Sequence, residues 1–419
     1  MVDRTVSPPA EKISKPKFPE TEIEKTDTGI ELVTLSQHSQ PAVMVDLVFP
    51  VGRSTENVLG ITYFASKMLL EGTVNKSSSD IANELDYYGS HLEITPTLDH
   101  IFVRLYCLKK FFENQVSLVF ELIKYADFPP KEFEKLKTIR IQQIKQQHAK
   151  SNAFAGLKYR ERLFGSAHPY GRIVGIEDTQ NISLEEVKEF YHNKFLVLPT
   201  VFLAGAVGSE EIDFVKRELS AINFIDKGDQ SKFSANPENG ITINWENSVQ
   251  SSIRFGDVCI SKSHPDIHKL KISNELLGGF FGSRLMKNIR EEKGLTYGIG
   301  SNIVHLDQGN YWVIGTDVLK EKADLAISEI RKEIEILQNT PPSLEEIHTL
   351  KSYIQGKWLM SFDSVFNSMN LITNNYLAGL TNQYWVDLMT EVDSITPEQV
   401  SETLKKHFNL DSAIEVLVG

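Results

Sequence analysis

The stretch Gly60-Ile61-Thr62-Tyr63-Phe64-Ala65-Ser66-Lys67-Met68-Leu69-Leu70-Glu71-Gly72-Thr73 anchors the reading of the whole chain. It reads as a helix over residues 60–70, with Gly72 beyond its end. Upstream, residues 30–35 and 42–49 read as strands, with Val and Leu alternating or clustered. Downstream, a Ser-Ser-Asp capping signal opens a second helix at 79–88, which Gly89 ends. Strands are expected at 91–97 and 100–108. Helical patterns follow at 111–125, 131–150, 153–163 and 184–195. A buried strand at 199–207 and a helix at 209–222 complete this half.

Residues 226–239 are rich in Gly, Asp, Ser, Asn and Pro and read as a linker. The grammar then restarts. Strands are expected at 240–245 and 251–258, helices at 266–277 and 283–292, and strands at 296–304 and 309–318. Long helices at 320–338, 343–358, 364–380 and 397–407 precede a short terminal strand at 413–418. The run from Ile81 to Gly89 occupies the same helix-to-strand junction as Leu285 to Gly294. Strands followed by runs of helices, without strict βα alternation, indicate an α+β fold. The expected architecture is two duplicated domains, each a mostly antiparallel sheet with a layer of helices on one face. Their expected spans are 21–225 and 240–419, after a flexible N-terminal arm at 1–20 that holds Pro8, Pro9, Pro16 and Pro19.

Composition narrows the function classes. The chain has 419 residues, 41% hydrophobic and 24% charged, so it can bury two cores. Its 56 acidic against 44 basic side chains give a net charge of −12, which repels phosphate backbones and argues against a nucleic-acid partner. The two cysteines, Cys107 and Cys259, sit in apolar runs and read as buried thiols; two cannot build a disulfide framework or a thiolate zinc cluster. No secretory h-region and no apolar stretch long enough to span a bilayer is found, which sets a cytoplasmic location as the expectation.

The stretch at 60–73 resembles the signature helix of the insulinase/pitrilysin family of zinc peptidases, G-x-x-H-x-x-E-H-M-x-x-x-G-T. The frame persists as Gly60, Met68, Gly72 and Thr73. The chemistry of that motif needs two histidines four residues apart facing one zinc ion, with a glutamate between them as general base. Here Tyr63 and Lys67 stand at the histidine positions and Ser66 at the base. The family's spacing puts its third ligand, a glutamate, at Gln143. A phenol, an amide and an ammonium make no zinc site, and the ammonium repels the ion. The resemblance therefore implies a degenerate zinc motif and no metal in this chain. His264 and His268 have helical-pair spacing, but the Pro and Asp between them mark a helix start with no acidic third ligand.

The resemblance covers roughly residues 26–419. His168-Pro169-Tyr170-Gly171 and Ser183 are similar to the loop and helix that follow the family's ligand helix, although turn and cap formation also explain them. The run from Gly282 to Tyr297 resembles the motif in which an arginine and a tyrosine seven residues on face the zinc site. Here these are Arg290 and Tyr297. A guanidinium and a phenol can stabilise an oxyanion and hold substrate carbonyls. The bland alternatives are an ion pair of Arg290 with Glu291 or Glu292 and a strand-core place for Tyr297. Two-subunit members of the family pair a chain with an intact zinc motif and one that keeps only this Arg/Tyr pair. The expectation is a chain not catalytic alone: the non-zinc, substrate-binding subunit of a heterodimeric zinc endopeptidase acting on unstructured peptides. An H-x-x-E-H partner would bring the zinc. The alternative is a non-catalytic structural or peptide-binding scaffold, in homodimeric form for instance. No Gly-x-Ser-x-Gly elbow, phosphate loop or nucleophilic cysteine setting suggests an independent hydrolase.

Overall fold

The computed structural model describes residues 18–226, 231–246 and 248–419. Most of the arm at 1–20 and part of the linker at 226–239 lie outside these. The first half builds a sheet from β1 (Glu22–Lys25), β2 (Glu31–Ser36), β3 (Ala42–Phe49), β4 (His91–Pro96), β5 (Ile101–Leu108) and β6 (Thr200–Gly205). The strand order is β1-β2-β6-β3-β5-β4, antiparallel except where β2 runs parallel to β6. The second half builds β7 (Ile241–Ile243), β8 (Gln250–Val258), β9 (Ile299–Leu306), β10 (Gly309–Leu319) and β11 (Ile414–Val418). Their order is β7-β11-β8-β10-β9, again antiparallel except for the β7–β11 pair. The expected α+β fold of two mostly antiparallel sheets with helical layers is present.

The central strand β3 is buried from Val43 to Phe49, so both faces of its sheet are covered. Alternation decides which residue faces which layer. Val43, Val45, Leu47 and Phe49 join a core with Phe64, Phe112, Val116 and other residues from helices of the first half. Met44 and Val48 point the other way. With Val33, Leu35, Phe202 and Ala204 they pack against Met369 and Ile372, which belong to a helix of the second half, Val365–Tyr376. The second sheet repeats the arrangement. Phe255, Trp312 and Ile314 face helices of their own half, while Tyr311, Ile414, Val416 and Val418 pack on Ala155, Tyr159, Leu163 and Phe164. Those four come from a first-half helix, Ser151–Phe164.

Each half thus lends one helix to the far face of the other's sheet, and polar contacts pin both loans. The Tyr159 hydroxyl donates to the Trp312 carbonyl at 2.9 Å, and the Tyr376 hydroxyl to Glu31 at 2.8 Å. Glycine is required under the first crossing, because a Cβ on Gly256 would collide with the Trp312 carbonyl and the Tyr159 hydroxyl. The hairpin ends also meet: Gln308 N–H donates to the Tyr170 hydroxyl at 2.9 Å and Asp307 N–H to Asp99 at 3.2 Å.

Several expected elements shift. The helix expected over 364–380 is Val365–Tyr376, and a separate helix, Gln383–Ser394, follows where none was expected. The strand expected from 296 begins at Ile299. Among the described residues no helix is long and apolar enough to cross a membrane.

Because each sheet needs the other half's helix, the chain is expected to unfold in one cooperative transition. Met369→Ala, which opens a cavity at a fully buried contact between halves, is expected to cost about 2–5 kcal/mol. Denaturant unfolding followed by circular dichroism and tryptophan fluorescence checks this, and two separate transitions would contradict it.

Candidate peptidase-like site

Helix Ile61–Lys67 begins at Gly60, whose φ of 89° requires glycine and whose N–H donates to Glu56 Oε2 at 3.1 Å. Ile61, Phe64 and Ala65 sink into the first core. This leaves Tyr63 and Lys67, one turn apart, half-buried on the helix's open side. Ser66 is fully buried, and its hydroxyl donates back to the Tyr63 carbonyl at 2.9 Å. That bond spends it on the helix itself.

Tyr63 and Gln143 meet. The phenol donates to Gln143 Oε1 at 3.3 Å, from a helix spanning Pro130–His148. Arg140, one turn earlier on that helix, donates to the same oxygen at 3.4 Å and lays its guanidinium 4.5 Å over the Tyr63 ring. Lys67 turns aside and donates to the Ile94 carbonyl on β4. Burial raises the Tyr63 phenol above its ordinary pKa, with Arg140 pulling the other way. Burial also lowers the Lys67 ammonium, against the opposing pull of Glu93, and lowers Arg140.

These residues do not fit a zinc ion. The position carries a neutral phenol, a neutral amide and two resident cations, with no imidazole or carboxylate ligand. Among the described residues no group of three or more His, Cys, Asp or Glu side chains could hold a metal. Further positive charge lies close by. Arg172 donates to the Arg53 carbonyl at 2.7 Å, and Arg53 lies 3.7 Å from Glu56. Burial lowers Arg53, and Arg160, Arg172 and Arg140 add to that effect against Glu56. Sequence reasoning missed this basic wall because its members are scattered along the chain. Only Arg140 left a signal, three residues before Gln143 on one helical face.

Arg290 lies on a helix wound in the wide π form, Met286–Glu292. Buried Asn288 anchors that helix by donating to Glu333 at 2.7 Å and to Glu329 at 3.2 Å. Among the described residues Arg290 makes no ion pair or hydrogen bond; its guanidinium sits 4.6 Å over the exposed ring of Phe281. Tyr297 lies at a bend before β9, is 94% exposed, and its hydroxyl has no partner among the described residues. Neither bland alternative therefore accounts for its residue. No hydrogen bond or ring contact joins Arg290 or Tyr297 to Tyr63, Ser66, Lys67 or Gln143. His264 accepts from Asp266 N–H at 3.0 Å at the start of helix Ile267–Asn274, and His268 packs on Tyr384, so they form no metal pair.

Two family descriptions match the sequence: "Insulinase (Peptidase family M16)" over residues 31–163 and "Peptidase M16 inactive domain" over residues 181–354. The chain belongs to the M16 family. A Helicobacter pylori relative named "Non-peptidase homolog YmxG" is 22% identical over 412 residues, covering 95% of this chain and 94% of its own. A Bacillus subtilis relative, "Uncharacterized zinc protease YmxG", is 20% identical over 397 residues, covering 93% and 96%. The crystal structure of an M16 inactive domain from Pseudomonas fluorescens superposes with a TM-score of 0.88 at 22% identity, over 95% of this chain and 98% of that one. At that identity the likeness carries the fold. Relatives in this M16 branch thus include proteins named as inactive or as non-peptidases.

The native chain is expected to retain no stoichiometric zinc after dialysis against the ion. The triple variant Tyr63→His, Lys67→His, Gln143→Glu restores the ligand types and is expected to bind roughly one zinc per chain. Elemental analysis of both proteins decides this; zinc in the native chain would contradict the account.

Proposed function

We propose that this chain is the non-zinc, substrate-binding subunit of a heterodimeric M16 endopeptidase acting on unstructured peptides. The observation that supports this best is a contrast within one molecule. The zinc-motif positions are consumed by internal contacts, whereas Arg290 and Tyr297 are left without structural work. A partner with an intact H-x-x-E-H helix supplies zinc and base. Arg290 then orients the peptide carbonyl, and the Tyr297 phenol donates to the developing oxyanion. Arg290 keeps its guanidinium positioned by stacking on Phe281. The flexible peptide is held extended, because only exposed backbone can pair with a strand edge. The two-domain division at the 226–239 linker belongs to the same reading, with the Arg/Tyr pair on the C-terminal side.

A second reading, a non-catalytic structural or peptide-binding scaffold, draws support from the name "Non-peptidase homolog" carried by the Helicobacter pylori relative. The two readings separate in one assay. An unstructured fluorogenic peptide is incubated with this chain, with the H-x-x-E-H chain, and with both. The subunit reading expects cleavage in the mixture only, lost on chelation and reduced about 100-fold by Tyr297→Phe, with subunit pairing intact by gel filtration. A partner equally active without this chain, or full activity of the Tyr297→Phe mixture, favours the scaffold.

A further inference from the structure

A cavity of about 670 Å³ opens between the β9–β10 hairpin, the lent helix Val365–Tyr376 and helix Gln383–Ser394, far in sequence from the degenerate motif. Its walls bring together Lys262, Lys271, His305 and Trp385. Lys271 makes no hydrogen bond or ion pair among the described residues; its ammonium lies 5.1 Å over the Tyr384 ring and 5.9 Å over that of Trp385. Lys262 donates once, to the Asn374 carbonyl at 2.7 Å, which leaves two of its three N–H bonds unspent. Trp385 is 7% exposed, and its indole N–H is buried without a partner. His305 is held through Nδ1 by Asn310 at 2.9 Å, while its buried Nε2 is unpartnered.

The neighbouring carboxylates answer this charge only in part. Glu275, beside Lys271, is paired with Lys357 at 2.9 Å. Asp99 and Asp307 also line the cavity. Asp99 accepts from Tyr170 and from Asp307 N–H, and Asp307 lies 3.7 Å from His100. The site carries the strain of unmatched positive charge. Burial first, and Lys271 second, push Lys262 down to about 8. Burial likewise pushes Lys271 down to about 8, with Glu275 opposing and Lys357 adding to the fall. His305 is pushed down to about 4 by burial, against the Asn310 bond and with both lysines contributing.

Buried donors in native proteins are nearly always satisfied, and unpaired buried charge is costly. Two ammonium groups and an indole N–H around one space are matched by an oxyanion carrying two negative charges, while the neutral His305 ring offers Nε2 only as an acceptor. We propose that this cavity binds a small phosphorylated molecule, its phosphate held by Lys262, Lys271 and the Trp385 N–H. Phosphate fits better than carboxylate on two grounds. Lysine binds phosphate as a point charge, whereas the planar fork that suits a carboxylate is arginine's, and no arginine lines this cavity. A monocarboxylate would also leave one ammonium unmatched. The Trp385 ring with Leu371 and Leu377 gives the ligand's organic portion an apolar wall, and the volume suits a small molecule.

The test is isothermal titration of the full chain with phenyl phosphate, inorganic phosphate and benzoate, against chloride at matched ionic strength. Phenyl phosphate is expected to bind saturably at one site and at least tenfold more tightly than benzoate. Lys262→Met and Lys271→Met, which keep the apolar stems, are each expected to weaken it at least tenfold. Trp385→Phe keeps the ring and removes the donor, and a smaller loss is expected there. Thermal unfolding of each variant confirms its fold, and Trp385→Phe carries the test if a lysine variant fails to fold. Absence of saturable binding, equal affinity for benzoate, or undiminished binding by the folded variants overturns the proposal.

Discussion

Each sheet of this molecule has two apolar faces and only one helical layer of its own. That constraint governs the architecture. Met44, Val48 and Phe202 on one sheet, and Ile414, Val416 and Val418 on the other, would meet water if the halves stood apart. The reciprocal loan of helices Val365–Tyr376 and Ser151–Phe164 covers them. Burying a side chain of this size is worth roughly 1.5–3 kcal/mol, so the halves gain far more by interlocking than by any surface ion pair between them. The interlock also fixes the hairpin ends against each other and lines the cavity around Lys271 with residues of both halves.

Within that frame the positions aligned with the zinc motif are filled by contacts of their own. A zinc site concentrates negative or neutral ligands on a cation. Here the chain supplies the cation itself, as Arg140 over Tyr63, and ties the ligand-helix position to it through Gln143. The Ser66 hydroxyl is turned into the helix backbone. A single change to a zinc-ligand type at Tyr63 or Gln143 would still face the Arg140 guanidinium and the Lys67 ammonium, so several contacts at once oppose a metal ion here. The opposite holds for Arg290 and Tyr297, which no packing or pairing need explains.

Much of this was legible in the sequence, and the exceptions have physical causes. The strands, the capping signals and the repeated grammar of the two halves gave the two α+β sheets, because period-2 and period-3.6 patterns are local. The substitutions at Tyr63, Ser66, Lys67 and Gln143 could be read against the motif frame, and the Tyr63–Gln143 bond joins two of the positions so aligned. The helix loan was not legible: near-continuous burial along β3 signals two covered faces but not which helix covers the second. Helix Gln383–Ser394 was missed, and with it Trp385 and the cavity. The π winding of Met286–Glu292 is anchored in the tertiary structure through Asn288 and its buried glutamates, and the bend that leaves Tyr297 exposed through the Thr296 hydroxyl, which donates to the Asp317 carbonyl at 2.7 Å.

The central claim is that Arg290 and Tyr297 touch peptide while the degenerate motif does not work as a metal site. Placing a photo-reactive phenylalanine analogue at Tyr297, and separately at Tyr63, and irradiating the two-chain mixture with an unstructured peptide tests it most directly. The account predicts peptide cross-linked from position 297 at much higher yield than from position 63. Cross-linking from position 63 alone, or from neither position in a mixture that cleaves the peptide, would contradict it.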